Sequence, residues 1–231
     1  MQEHSKGKSV PTLNQRLADI KLLMQYGVPP DDLAKATALV EKHDTDSVAL
    51  NIFHAFYSYL PEGLEDAITV LRLLDRRQGT FLICASTGQN DYLYLAASEQ
   101  AEFLGPLSEG IWEDEVLAFF NYENREAFLK KYADLTTFPV YVPAHLHPDL
   151  CPVCHVADGE VHTLGCPVEI CPWCHGQLTS CGCRFTLLNR ADLKSEAQLE
   201  ELLTLLNKKG RLPFSAEEHR PAYPLTPLDL E

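Results

Sequence analysis

The chain has 231 residues, of which 45% are hydrophobic and 23% are charged, and this composition is typical of a folded globular protein. Its formal net charge is −14, so its surface should repel phosphate backbones and anionic membranes. No apolar run reaches the roughly 18 residues that cross a bilayer. The N-terminal residues also lack the apolar segment of a signal peptide, so we expect a cytoplasmic protein without membrane contact.

Apolar residues at three- and four-residue spacing predict helices in the first third of the chain. We expect four short helices with short connections, which would pack as an N-terminal helical bundle. Asp31 is predicted to cap the second helix. Glycine and proline mark the ends of the other three, at Gly27, at Pro61 with Gly63, and at Gly79. The four helices are predicted at residues 13–27, 31–43, 46–60 and 64–77.

From residue 80 onward the chain changes to short runs rich in β-branched and aromatic residues. TFLICAS (80–86) and DYLYLAAS (91–98) are separated by the turn-like TGQN and predict a β-hairpin. A helix is predicted at residues 124–135 and a last strand at residues 138–144. We therefore expect an α+β fold class, in which a small α+β part follows the helical bundle.

Cysteine placement carries the clearest signal of the sequence. The chain has eight cysteines, and seven of them lie between Cys151 and Cys183. A reducing cytosol keeps thiols free, so C-x-x-C pairs at this density indicate metal ligands rather than disulfides. The eighth, Cys84, lies in the apolar run TFLICAS and is predicted to be a small buried hydrophobe.

The spacing of these residues predicts two zinc ions, each with four ligands at tetrahedral corners. Two C-x-x-C knuckles supply two sulfurs each, an H-x-x-x-C pair can complete the first site, and a C-x-C pair can complete the second. We favour this sequential pairing because each site then closes a short loop; a cross-braced pairing is the alternative. The predicted ligands are Cys151, Cys154, His162 and Cys166 for the first site, and Cys171, Cys174, Cys181 and Cys183 for the second.

Four protein ligands on each ion would leave no position open for water or substrate, which is the property of a structural zinc site. The cluster also contains few large apolar side chains, so burial alone cannot hold it together. We therefore expect the metal to stabilise the fold and to do no chemistry.

Other histidines near the cluster are weaker candidates for ligands. His155 and His175 each follow a knuckle, which creates the C-x-x-C-H signature of c-type haem attachment. Haem attachment requires export from the cytosol and would leave three cysteines without a role, so we expect both histidines to be surface or supporting groups. His145 or His147 could replace His162 as a ligand, but a connector into the cluster is the favoured interpretation.

Beyond the cluster, residues 191–209 carry a regular leucine stripe and predict a helix that begins near Asp192 and ends before Gly210. The stripe is predicted to pack on the zinc module or on the main domain. The tail after residue 212 contains four prolines and is predicted to be irregular.

Together these patterns predict three regions. Residues 1–145 hold the helical bundle and the α+β part, either as one core or with a boundary near residue 79. Residues 146–186 form a two-zinc ribbon or knuckle module, and residues 187–231 contain the C-terminal helix and tail.

The module follows the pattern CPxC…GxxHxxGCxxExCPxCxGQxxxCxC, and KGRLPF follows its helix. With these features, residues 149–214 resemble a zinc-binding segment of uncharacterised bacterial proteins. The resemblance implies the zinc ligands and a bacterial cytosolic setting, but no reaction. His155 and His175 depart from it, since the group more often has glycine there. The residues that carry it are Cys151, Cys154, Gly159, His162, Gly165, Cys166, Glu169, Cys171, Cys174, Gly176, Gln177, Cys181 and Cys183.

Three functions are open to such a chain. We favour a protein-interaction adaptor or regulator, and its acidity predicts a partner of basic character. A nucleic-acid-associated zinc ribbon is the first alternative, but residues 146–186 hold one basic residue, Arg184, against four carboxylates, so nucleic-acid binding is not expected. An enzyme with its site in residues 80–145 is the second alternative. No P-loop, nucleophile elbow or HExxH motif supports it, and no catalytic residue is assigned.

Overall fold

The computed structural model describes residues 12–60 and 64–217. Pro61 and Gly63, which were predicted to end the third helix, and most of the predicted irregular tail lie outside these ranges. The described residues form two compact units. The first contains the residues up to Arg76 together with Thr80–Pro143, and the second contains Arg77–Gly79 together with the residues from Ala144 on. The predicted division into residues 1–145, 146–186 and 187–231 stays a prediction.

Three of the four predicted N-terminal helices are confirmed: α1 (Leu13–Gly27), α2 (Pro30–Glu41) and α3 (Ser47–Tyr59). The predicted cap at Asp31 is wrong, because proline occupies the first position of α2 and its ring already has the helical φ angle. Asp31 lies in the first turn, where its charge favours the helix dipole. None of the helices in the described ranges combines the length and the hydropathy that a bilayer crossing needs.

A four-stranded sheet with strand order β1-β2-β3-β4 follows the helices. The predicted hairpin is confirmed, since β2 pairs antiparallel with β3 in a register that runs from Phe81 opposite Ala96 to Ser86 opposite Asp91. The strands are β1 (Val70–Arg77), β2 (Thr80–Ser86), β3 (Asp91–Ala96) and β4 (Ala101–Pro106).

The fourth predicted helix, at residues 64–77, is wrong, because its second half is strand β1. Leu71 and Leu74 are both buried, and their three-residue spacing fits a helix as well as it fits this strand. Gln78 and Gly79 both have positive φ angles, 49° and 75°. Two such residues form the tight turn of a β-hairpin, so Gly79 turns the chain between two strands instead of ending a helix.

The predicted strand at residues 138–144 is also wrong. Its segment makes a single isolated bridge to β1, between Val140 and Arg72, and the amide of Tyr141 donates to the carbonyl of Leu71 at 2.8 Å. Pro139 and Pro143 lack amide hydrogens, which prevents a longer ladder. Strand β4 was missed by the sequence interpretation, because it contains Gly105 and ends at a proline.

The sheet carries helices on both faces. The predicted helix at residues 124–135 is shorter than expected, as α5 (Arg125–Lys131), and a further helix, α4 (Asp114–Phe119), precedes it. Both pack with Leu82, Cys84 and Leu93 on one face of the sheet, whereas α3 packs against β3 and β4. Cys84 is fully buried, as predicted, and burial raises the pKa of its thiol to about 12. The chain is thus of mixed helix and antiparallel sheet.

In the described part of the second unit lie two α-helices, α6 (Cys183–Leu188) and α7 (Glu196–Lys209). The predicted helix at residues 191–209 is confirmed as α7, but it begins later than expected. Ser195 and Gln198 form a capping box there, so the helix begins at Glu196 and not near Asp192. Leu202 and Leu206 of the predicted stripe are buried against Cys171 and its neighbours, which places α7 on the cysteine module.

Candidate metal centres

The first cluster lies in the first half of the cysteine module and is shielded from solvent. Its four candidate ligand atoms all lie within 4.8 Å of one another, and all four residues are buried. The sulfurs of Cys151 and Cys166 are 3.8 Å apart, and the sulfur of Cys154 is 3.3 Å from Nδ1 of His162. His162 therefore faces the cluster with Nδ1.

The second cluster consists of four cysteine sulfurs that also lie within 4.8 Å of one another. Its burial differs from that of the first cluster: Cys171 is buried, Cys181 and Cys183 are half-buried, and Cys174 is exposed. Cys183 is the first residue of α6, so the C-x-C pair leads directly into a helix. The two clusters thus differ in access to solvent.

The two knuckles have the same backbone geometry, 20 residues apart in the sequence. The amide of Cys151 donates to the carbonyl of Val156 at 2.8 Å, and the amide of Cys171 donates to that of Gly176 at 2.8 Å. An isolated β-bridge encloses each knuckle, at Leu150–Ala157 and at Ile170–Gln177. Such bridges are single pairs, and the described residues of the module hold no longer ladder of the kind that a zinc ribbon would have.

Both knuckles end in a histidine with a left-handed backbone, since φ is 58° at His155 and 59° at His175. Glycine adopts this conformation without strain, whereas a residue with a β-carbon adopts it less readily. Neither histidine belongs to a cluster, and the same holds for His145 and His147. The eight residues predicted as ligands are the eight that the structure brings together.

A zinc ion fits the dimensions of both clusters. Tetrahedral zinc with Zn–S bonds of about 2.3 Å places its sulfurs about 3.8 Å apart, which is the separation of the Cys151 and Cys166 sulfurs. A disulfide would need about 2.05 Å, and all the cysteines are free thiols. The grouping of ligands follows the sequential pairing, with the first four candidates in one cluster and the last four in the other.

The pKa values of the ligands in the first cluster shift in opposite directions, because the side chains share hydrogen bonds. Hydrogen bonds from the thiols of Cys151 and Cys166 hold the pKa of Cys154 far below its usual range, and hydrogen bonds with Cys151 and Cys154 raise the pKa of Cys166. Burial lowers the pKa of His162, but hydrogen bonds with Cys151 and Cys154 outweigh it and raise that pKa to about 9. A divalent cation would replace the protons on all four ligands at once.

Residues outside the cysteine pattern support the first cluster. Glu169 is fully buried and forms an ion pair with Arg211, and Arg211 also donates to the carbonyl of His162 at 2.7 Å. The ring of Phe214 packs edge-on against His162 at a centroid distance of 5.4 Å. The segment that contains Arg211 and Phe214 is the KGRLPF stretch that follows α7, and no local pattern in the sequence assigned these two residues to the first cluster.

The second cluster is supported by α6 and α7. Leu188 of α6 and Leu206 of α7 pack with Leu178 and Cys171 in one apolar cluster. Arg184 donates to the carbonyls of Leu178 and Cys181, at 2.5 and 3.0 Å. The predicted C-terminal helix therefore helps to shape the second site.

The turn Gln78–Gly79 also belongs to the second unit, and it touches the first knuckle. The amide of Gln78 donates to Oε1 of Glu160 at 2.9 Å. A β-carbon placed on Gly79 would lie 2.2 Å from the carbonyl oxygen of Cys154. No side chain fits in that space, so glycine is required for this close approach.

Comparison of the chain with protein-family profiles, with curated proteins and with solved structures yields no match. The interpretation of the module therefore depends on the ligand types and their geometry. The structure shows two clusters able to hold metal, and the resemblance to bacterial zinc-binding segments stays a prediction.

Proposed function

We propose that this protein binds two zinc ions, one in each cluster, and that both ions are structural. The observation that carries the proposal is the grouping of eight soft or borderline donors into two sets of four, each set within 4.8 Å. Thiolates and imidazole are the donors that zinc prefers, and four of them fill a tetrahedral shell. With no coordination position left over, the ions hold the module together and activate no water.

The size of the module explains why it needs the metal. The apolar cluster at the first site contains only three buried side chains besides its cysteines, namely Val156, Val168 and Phe214. Such a small core supplies little burial energy, whereas a structural zinc site contributes about 10–16 kcal/mol near neutral pH. The zinc ions are thus the main source of stability for this part of the chain.

We further propose that the protein is a cytoplasmic adaptor or regulator that binds a basic protein partner. The net charge of −14 supports this, because a field of that sign attracts cationic surfaces and accelerates their encounter. Nucleic acid is a poor partner for the zinc module. Its one basic side chain, Arg184, already donates to two carbonyls of the module, and Glu169 is buried against Arg211, which leaves Asp149, Asp158 and Glu160 to repel phosphate.

Elemental analysis of protein purified without added metal tests the zinc proposal. We expect about two zinc ions per chain, and about one in the variant Cys166→Ser, which removes a ligand of the first cluster. Cys84→Ala is the matched control, since Cys84 is a buried cysteine outside both clusters, and its zinc content should stay near two. Iron in place of zinc, or unchanged zinc in Cys166→Ser, would contradict the proposal.

The partner proposal has its own test, the salt dependence of association with a captured partner. Binding that is dominated by charge weakens steeply as ionic strength rises, because salt screens exposed charges over about 8–10 Å. A partner without basic character, or binding that is indifferent to salt, would contradict this part while leaving the zinc proposal intact.

A further inference from the structure

The second cluster contains a cysteine that is exposed to solvent, whereas the first cluster is closed. Cys174 is exposed and Cys183 is half-buried, but all four ligands of the first cluster are buried. A cysteine reacts with a dissolved oxidant as a thiolate, and its rate depends on its exposure. A zinc-bound cysteine is already deprotonated, so exposure is what distinguishes the ligands from one another. Cys174 is therefore the ligand that an oxidant reaches first.

The space beside the sulfur of Cys174 is free because the residue two positions later is glycine. A β-carbon placed on Gly176 would lie 3.6 Å from this sulfur, at ordinary van der Waals contact, and would meet no other atom within 4 Å outside the adjacent residues. Residues 174–177 are all exposed. A dissolved oxidant can therefore approach the sulfur from this side.

A second thiolate lies close enough to react with Cys174. The four sulfurs of the cluster lie within 4.8 Å of one another, and the strongest hydrogen bond that Cys174 shares with another thiol is the one with Cys183. Cys181 instead donates to the carbonyl of Leu178 at 3.6 Å. Cys171 is fully buried in the apolar cluster that includes the leucines of α7. Cys183, at the start of the short helix α6, is thus the most available partner for a disulfide.

We propose that Cys174 and Cys183 form a redox-sensitive pair, which a peroxide converts to a disulfide and which thereby controls the second zinc site. This inference rests on the proposed function, because it takes the cluster to be loaded with zinc. The disulfide removes two of the four ligands, and the two that remain, Cys171 and Cys181, no longer close a tetrahedral shell. The buried first cluster keeps its ligands reduced.

The reaction balances with one molecule of hydrogen peroxide for each disulfide. The thiolate of Cys174 attacks one peroxide oxygen, the O–O bond breaks, and a sulfenic acid and a hydroxide ion form. The thiolate of Cys183 then attacks the sulfenic sulfur, an S–S bond forms, the S–O bond breaks, and a second hydroxide ion leaves. The two sulfurs together lose two electrons, and the peroxide gains them.

Loss of the second ion loosens the helices that surround it. Cys183 is the first residue of α6, and Leu206 of α7 packs with Cys171. Beyond α7 the chain is held independently, since Arg211 pairs with the buried Glu169 beside the first cluster. Oxidation therefore frees α6 and α7 while the chain on either side of them stays fixed by the first cluster, and it changes the surface that these helices present.

Stepwise addition of hydrogen peroxide to the full chain, with its zinc content measured beforehand, tests the proposal. The remaining thiols are alkylated under denaturing conditions, and a glutamyl endopeptidase with trypsin then cleaves after Glu169 and Arg184. Peptide 170–184 holds the four cysteines of the second cluster and no others. We expect this peptide to lose two alkylation sites as about one zinc ion per chain is released, while the three cysteines of the first cluster stay alkylated.

Equal loss of thiols in the two clusters, or a second cluster that remains fully alkylated, would overturn the proposal. Fragmentation of peptide 170–184 locates the disulfide, which we expect between Cys174 and Cys183. A disulfide without Cys174 would overturn the proposal, and one that joins Cys174 to another cysteine would overturn the choice of partner. Fewer than about two zinc ions per chain before oxidation would contradict the proposed function. The thiol pattern still reports which cluster oxidises first, so the two failures are distinguishable.

Two glycine variants test the role of access without changing a ligand, and neither glycine has a positive φ angle. Gly176→Ala places a methyl group against the sulfur of Cys174 and should slow disulfide formation about two- to fivefold. Gly182→Ala is the matched control, because its β-carbon lies more than 4 Å from every atom of Cys174, and its rate should equal that of the parent. Both variants should bind about two zinc ions. Equal rates in the two variants would overturn the assignment of Cys174 as the point of attack.

Discussion

Arg211 donates from Nε to Oε1 of Glu169 at 2.7 Å, and this ion pair, whose members are 42 residues apart in the sequence, is almost completely buried. Burial raises the pKa of Glu169, and Arg211 acts against that rise. Because Arg211 also holds the carbonyl of His162, the ion pair connects the C-terminal segment to a candidate zinc ligand.

Arg211→Met is expected to destabilise the protein by about 3–5 kcal/mol, since it leaves the carboxylate of Glu169 buried without its partner. Denaturant unfolding of the zinc-loaded protein measures this loss. Arg190→Met is the matched control, because Arg190 pairs with Glu201 on the surface, where ion pairs contribute about 0–1 kcal/mol. Similar losses in the two variants would show that the buried pair has no special role.

The two clusters should release metal at different rates under a competing chelator. The second cluster contains the exposed Cys174, whereas the first cluster is buried on all four ligands, so a chelator reaches the second ion first. A colorimetric zinc indicator should report two phases of release. Cys174→Ser should remove the fast phase and Cys154→Ser the slow one. A single phase that includes both ions would contradict the difference in access.

Gly79→Ala should strongly destabilise the second unit, because the new methyl group meets the carbonyl oxygen of Cys154 and the φ angle of 75° adds strain. We expect a loss of about 2–4 kcal/mol, the sum of strain and overpacking. Gly159→Ala is the matched control, since Gly159 has a φ angle of 83° but open space around it. Its loss should be about 1–2 kcal/mol, from strain alone. Thermal unfolding of both variants measures the difference, and equal losses would exclude the steric contact.

Histidine titration gives the first unit a predicted dependence on pH. His43 is 1% exposed, and burial lowers its pKa below 6.5, with Asp46 opposing and Lys42 adding to the effect. The unfolded chain therefore binds a proton that the folded chain resists. The contribution of His43 to the free energy of unfolding is therefore fully present above about pH 6.5. It is lost as the pH falls from there through the lower pKa that His43 has in the folded chain.

His43→Leu should remove this part of the pH dependence. The difference between the free energies of unfolding at about pH 7.5 and about pH 5.5 should be smaller in the variant than in the parent, whatever the variant's absolute stability. Urea unfolding at the two pH values with excess zinc measures it. His145→Asn, a change at an exposed histidine, serves as the control. An unchanged difference in His43→Leu would contradict the prediction.

The local sequence pattern was sufficient to predict those features whose geometry depends on residues close together in the chain. The spacing of Cys151 and Cys154 defines one tight turn, and the same turn recurs at Cys171 and Cys174. Helix α1 has the bounds that its apolar periodicity predicts, and the β2–β3 hairpin follows from its short polar turn. In each case the contacts that matter lie within a few residues, so the sequence contains both partners side by side.

Tertiary structure alone decided the remaining features. Leu71 and Leu74 have a spacing that suits a helix, but pairing with β2 makes them part of a strand, because propensity yields to hydrogen bonding with a neighbouring strand. The ion pair of Glu169 and Arg211 likewise joins residues that no local pattern connects. The sequence by itself determined which atoms could bind zinc. Only folding decided which distant side chains surround them, because such contacts depend on the path of the whole chain through space.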